Sequence, residues 1–161
     1  MTINAAQFSA QIVVPTLQML AKDAAIPYTD TAYYLVMGTI AQESLMGTWL
    51  VQQAGPALGI CQIEPLSLRN LIARLTTAEA AALATLATPG TPEHNAVGNL
   101  PYAVAITRLF YWQLRAPLPA ANTVAALFAY YKQWYNTPAG SATLMQFSQN
   151  WGLTGISLPA S

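Results

Sequence analysis

Glu43 is the residue best placed to do chemistry. It falls on the stripe Ala32, Val36, Ile40, Glu43 of a segment, about Thr31 to Met46, that is apolar nearly all round. A helix without a polar face belongs inside a core. Glu43 therefore points where core residues point, in the last turn of that helix. Burial disfavours its carboxylate, and the negative end of the helix dipole acts in the same direction. The expected result is a carboxylic acid still protonated near neutral pH. Such an acid suits the protonation of a leaving sugar oxygen. A buried Glu hydrogen-bonded to backbone or to a tyrosine would carry the same pattern.

The next segment adds groups that suit a ligand. Residues 48–63, TWLVQQAGPALGICQI, have no helical period and are punctuated by Gly55-Pro56 and Gly59. They read as a loop with room for a short hairpin. Gly55 and Gly59 would let backbone approach a ligand closely. Gln62 offers both donors and acceptors to a sugar, or alternatively pins its own loop. Trp49 is free to stack on a sugar face. A second carboxylate would have to come from Glu64, Asp30 or Glu93. Glu64 follows Gln62 by two residues, but it also sits beside Pro65 at a helix start, where an acidic residue is favoured by the dipole.

Other chemistries lack their residues. One Cys, Cys61, and one His, His94, leave no disulfide within the chain and no metal-ligand spacing. Cys61 reads as a small buried hydrophobe. No glycine-rich phosphate loop follows a strand. Neither a cofactor nor a metal is expected.

The elements that must position Glu43 read as helices, an all-α fold in one domain over residues 1–161. A first helix, about Ala5 to Lys22, should be kinked or split by Pro15. Thr29-Asp30 offers the cap of the central helix, and Gly47 its stop. Pro65 opens a third helix with the inner stripe Leu68, Leu71, Ile72, Leu75. Thr76 with Glu79 forms a capping box for an Ala-rich helix, about 77–86. ATPGTPEHN reads as a surface loop. Asn99 caps a helix to about Leu114, and Asn122 caps one over about Thr123 to Tyr135. Thr137-Pro138 starts the last helix, which ends near Trp151-Gly152. Trp112, Trp134 and Trp151 read as core.

Composition sets the partners. Charged residues make up 7% of the chain and the formal net charge is zero, against a usual charged share of about 25%. There is no basic stripe for nucleic acid. A surface this poor in charge suits self-association or packing into a larger particle. No apolar run reaches the roughly 18 residues of a membrane span. The start, MTINAAQFSAQ, lacks the basic region of a signal peptide, so synthesis in a cytoplasm is expected.

Two resemblances sharpen these expectations. Glu43-Ser44 followed by Gly59-Ile60-Cys61-Gln62-Ile63-Glu64-Pro65 resembles the lytic transglycosylases of the lysozyme-like superfamily. These carry Glu-Ser and then Gly-Leu-Met-Gln-Ile-Met-Pro at similar distance, here nineteen residues from Glu43 to Gln62. Asn99, Tyr102 and Ala105 match a later helix of that family. Phe128-Ala129-Tyr130-Tyr131 is similar to its final Ala-Ala-Tyr-Asn-Ala-Gly string, without the Asn-Ala-Gly part. Separately, Ala-Gln-Glu-Ser, Gly-Pro-Ala-Leu-Gly-Ile, Tyr-Asn-Thr-Pro-Ala-Gly-Ser-Ala-Thr and Pro15-Thr16-Leu17 resemble a family of small tailed-phage proteins. This likeness covers nearly the whole chain.

The resemblances imply a bacteriophage enzyme that cuts peptidoglycan glycan strands, as a lytic transglycosylase or a lysozyme. Glu43 would be catalytic. Ser44, Gln62, Gly59 and Trp49 would hold the sugar. Tyr130, with Tyr131 as the close alternative, would orient Glu43. The family string has Met where Glu64 stands, so resemblance assigns Glu64 no catalytic role. Such a protein would be made in the bacterial host cytoplasm and carried in a virion or delivered to the cell wall. The alternative is a lysozyme-like virion protein without turnover, contacting other phage proteins. The enzymatic reading requires Glu43, Gln62 and one of the two tyrosines to meet at one groove.

Overall fold

Side-chain caps set most helix starts. The computed structural model describes residues 3–137 and 140–159. In it, Asn4 caps α1 (Ala5–Phe8), which continues through a π-helical turn (Ser9–Val13) into α2 (Val14–Ala24). Thr29 caps α3 (Asp30–Ser44) by accepting from the Ala32 amide. α4 (Pro65–Ala73) opens on its proline, and the Thr76–Glu79 capping box opens α5 (Thr77–Leu86). Thr91, Asn99, Thr123 and Thr143 then cap α6 (Pro92–Gly98), α7 (Leu100–Gln113), α8 (Val124–Trp134) and α9 (Leu144–Trp151). The fold is mainly helical, as expected.

Caps decide where these helices begin, and packing decides where they sit. A cap contributes about 1 kcal/mol, and each fully buried Val, Ile or Met about 1.5–3 kcal/mol. α3 buries Leu35, Val36, Met37, Ile40 and Ala41 together, so it is held from all sides. It packs against α7, α8 and α9. Gly38 is what lets α9 come this close: a Cβ there would stand 2.9 Å from the Phe147 ring and 3.0 Å from Trp151.

Several expectations need correction. Pro15 divides the first helical segment as expected, but through a π turn that keeps the chain helical: the wider spiral before it relieves the clash of the proline ring with the carbonyl one turn back, and Pro15 falls in the first turn of α2. The segment read as a loop, ATPGTPEHN, contains the start of α6, because Thr91 caps it and Pro92 supplies its first residue. Thr123, not Asn122, caps α8; Asn122 instead accepts from the Thr31 hydroxyl at 2.7 Å. α9 begins at Leu144 rather than Thr137. Thr137 has φ +63 and so cannot start a helix. Pro138 lies outside the described residues.

α3 ends earlier than Gly47. Leu45, Met46 and Gly47 all take positive φ, at 49°, 53° and 78°. Two non-glycine residues in this region cost on the order of 1–2 kcal/mol each. Compensation is visible. Ser44 Oγ donates to the Ile40 carbonyl at 3.0 Å and accepts the Gly47 amide at 2.9 Å. Met46 is buried, and its carbonyl accepts the Ile3 amide. Thr48 and Trp49 amides both reach the Ser44 carbonyl. This turn throws the chain outward immediately after Glu43 and carries Trp49 back beside it.

Candidate active site

The loop after that turn is held as a folded ribbon by two antiparallel bridges, Val51 with Leu58 and Leu58 with Ile63. It walls one side of a groove of about 740 Å³. Glu43, from the last turn of α3, opens into this groove. Trp49, Gln62 and Glu64 line it from the loop, Phe110 from α7, and Tyr135, Asn136 and Thr137 from beyond α8. Glu43 is half-buried, Trp49 and Glu64 are exposed, and Gln62 is half-buried.

Burial raises the Glu43 carboxyl from 4.5 to about 7. A hydrogen bond from Tyr131 opposes this shift without cancelling it. The Tyr131 hydroxyl donates to Glu43 Oε1 at 2.5 Å. Burial and the adjacent Glu43 hold that phenol far above the usual tyrosine range, so it remains a donor. No cation pairs with Glu43 among the described residues. The nearest groove-side ammonium, Lys132, is engaged by Asn136 Oδ1 at 2.9 Å and by the Gly140 carbonyl. With Oε1 accepting from Tyr131, Oε2 is left to carry the acidic proton. The arrangement therefore provides a carboxyl still partly protonated at neutral pH at the wall of a polar groove, and the protonated form is the one a general acid needs.

The orienting tyrosine is Tyr131 and not Tyr130. The Tyr130 hydroxyl instead reaches the Ala116 carbonyl at 3.3 Å, and Tyr130 does not line the groove. Ser44 is also corrected: it is fully buried and spends its hydroxyl on the turn that ends α3. It cannot hold a sugar. Gly59 does not face a ligand either. It is buried, with φ +74, and a Cβ on it would lie 1.9 Å from the Ala96 carbonyl. Glycine is required there so that the loop can sit on α6. Gln62 pins its own loop, its amide nitrogen donating to the Gly59 carbonyl at 2.7 Å, and its side chain lines the groove.

The remaining carboxylates separate clearly. Asp30 is at the opposite end of α3, about 20 Å away at 1.5 Å per residue. Glu93 pairs with Arg69 at 3.0 Å. Glu64 shares the groove but takes the N-cap position of α4, without a capping hydrogen bond from its side chain. Cys61 is fully buried, and burial raises its thiol. Comparison with family models, with curated proteins and with solved structures finds no match.

Sequence reasoning missed the far wall of the groove. Tyr135 donates to the Cys61 carbonyl at 2.7 Å and ties the end of α8 to the loop. Asn136, Thr137, Gly140 and Ser141 continue that wall. The signal available is the Tyr-Asn-Thr-Pro-Ala-Gly-Ser string, whose Pro and Gly suit a break, but Thr137-Pro138 within it reads as a helix start. Its placement opposite Gln62 follows from packing alone.

Proposed function

We propose that this chain cleaves the glycan strands of peptidoglycan, with Glu43 as its single acid/base catalyst. One observation carries the reading: a carboxyl raised to about 7 and fixed by Tyr131 opens on a groove lined by Gln62, Trp49 and Glu64. A groove of this size accommodates sugar rings. Trp49 gives a stacking face, and Gln62, Gln52, Gln53 and Asn136 give hydrogen-bonding groups without charge.

The chemistry balances with one carboxyl. Glu43 gives its Oε2 proton to the glycosidic oxygen linking N-acetylmuramic acid to N-acetylglucosamine, and the bond from the muramic C1 to that oxygen breaks. The substrate's acetamido group shares the positive charge at C1. Glu43, now a carboxylate, takes the proton of the muramic 6-hydroxyl as its oxygen bonds to C1, closing a 1,6-anhydro ring. Water in place of that hydroxyl would give a free reducing end. The likeness to small tailed-phage proteins supports a phage setting for this activity. The test is mass spectrometry of peptidoglycan digested by the wild type and by Glu43→Gln. Products bearing anhydromuramic ends, from the wild type only, are expected.

A second reading is a virion protein with this fold and no turnover. Its support is surface: Leu144 and Met145 on α9 and Leu50 and Val51 on the loop are exposed, on a chain with 7% charged residues. Intact peptidoglycan after incubation with folded wild type would favour it.

A further inference from the structure

Away from the groove, Pro27, Thr29, Arg108, Trp112, Arg115 and Leu118 line a second cavity of about 440 Å³. Its walls are largely apolar side chains, yet it contains the most deeply buried cation of the chain. Arg108 is only 4% exposed. Its one hydrogen bond among the described residues runs from Nη2 to the Pro27 carbonyl at 3.2 Å. The only ion pair among the described residues is Arg69 with Glu93. A guanidinium carries five N–H donors in a planar fork, and a buried charge without a counterion is unfavourable.

The neighbours do not supply that counterion. The Trp112 ring lies 5.6 Å from the Arg108 guanidinium and 5.1 Å from that of Arg115. Such stacking eases both charges without neutralising either. Glu79, the carboxylate that holds Trp112, accepts from the Trp112 indole at 2.9 Å and from the Thr76 amide at 2.9 Å. Burial lowers Arg108 to about 10, so it stays charged at neutral pH. The cavity thus combines an unneutralised fork, a second cation on Arg115, and walls of proline, leucine and tryptophan.

We propose that this cavity binds a small organic carboxylate with an apolar body, its carboxylate on Arg108 and its body against Pro27, Trp112 and Leu118. A planar carboxylate matches the guanidinium fork, and the charge balance selects an anion over a neutral molecule of equal shape. The site is independent of Glu43, which lies in the other groove.

Phenylacetate and its neutral twin phenylacetamide test this by nuclear magnetic resonance on the full chain. Phenylacetate should shift the Trp112 indole N–H saturably, and the amide should bind about tenfold or more weakly. Arg108→Gln should abolish the saturable shift. Arg115→Gln, at an exposed position, should weaken binding several-fold. Glu43→Gln should leave it unchanged, which separates this site from the muralytic reading. Equal binding of acid and amide would overturn the proposal. So would shifts confined to Trp49 and Gln62, or no saturable shift in wild type.

Discussion

Tyr131 on α8 and Glu43 on α3 meet through a 2.5 Å hydrogen bond that joins residues eighty-eight positions apart. The bond has two consequences for Glu43 that act on different observables. It fixes the plane of the carboxyl, and it draws the acid back toward its ordinary range. Removing the donor should therefore uncouple rate from titration. In Tyr131→Phe, cleavage should fall about tenfold or more through lost positioning. The alkaline limb of the rate profile should move to higher pH, because the acid then loses the interaction that favours its charged form. Tyr130→Phe should change neither. A profile that falls in height with no shift of its limb would show that Tyr131 does not bond to Glu43 in solution.

The Glu43 carboxyl also links stability to pH. Its folded value is raised to about 7 from 4.5. A raised acid stabilises the fold fully below the unfolded value, and that contribution is lost as pH rises through the folded one. The window is therefore about pH 4.5 to 7, with roughly 3 kcal/mol at stake at most. Urea unfolding of wild type and Glu43→Gln across this window should diverge, the wild type losing stability relative to the variant as pH rises. Parallel curves would mean that Glu43 titrates as an ordinary surface carboxyl.

The sequence pattern was strong where one helix decides the outcome. The apolar run from Ala32 to Ile40 placed α3 in the core, and Thr29, Thr76 and Asn99 announced their helix starts through short-range hydrogen bonds. It was weak where two elements must meet. Tyr130 and Tyr131 are adjacent on α8 and differ by about 100° around its axis. Which of them faces Glu43 depends on how α8 crosses α3, and no local signal encodes that. Ser44 is expected in the site because Glu43-Ser44 resembles the Glu-Ser pair of lytic transglycosylases. Its burial follows from the left-handed turn at Leu45 and Met46, two residues that rarely adopt that conformation. The α6 helix was obscured by prolines and a glycine, although Thr91-Pro92-Glu93 is itself a good helix start.

Gly59 and Ser44 should behave as structural positions, with activity following the folded fraction. Gly59→Ala places a Cβ 1.9 Å from the Ala96 carbonyl at φ +74. Neither backbone can yield cheaply, so a loss of about 3 kcal/mol or more is expected. Ser44→Ala removes an acceptor for the Gly47 amide and should cost about 1–2 kcal/mol. Thermal unfolding measures both. Assayed well below its melting point, Ser44→Ala should keep wild-type KM, since the hydroxyl never reaches the groove.

Glu64 decides between the one-carboxyl and two-carboxyl chemistries. It is exposed, lines the groove with Glu43, and makes no capping hydrogen bond with its side chain. If Glu43 works alone, Glu64→Gln should leave the cleavage rate within about threefold of wild type. The products should keep anhydromuramic ends, because the nucleophile is the substrate's own hydroxyl. If Glu64 instead activates water or attacks C1, the same change should cost about a hundredfold or more, and the wild-type products should carry reducing ends. Rate and end-group chemistry are independent readouts, so agreement between them fixes the role of Glu64. An intact rate with reducing ends would point to water delivered by Glu43 itself, and would make this groove that of a hydrolase with one working carboxyl.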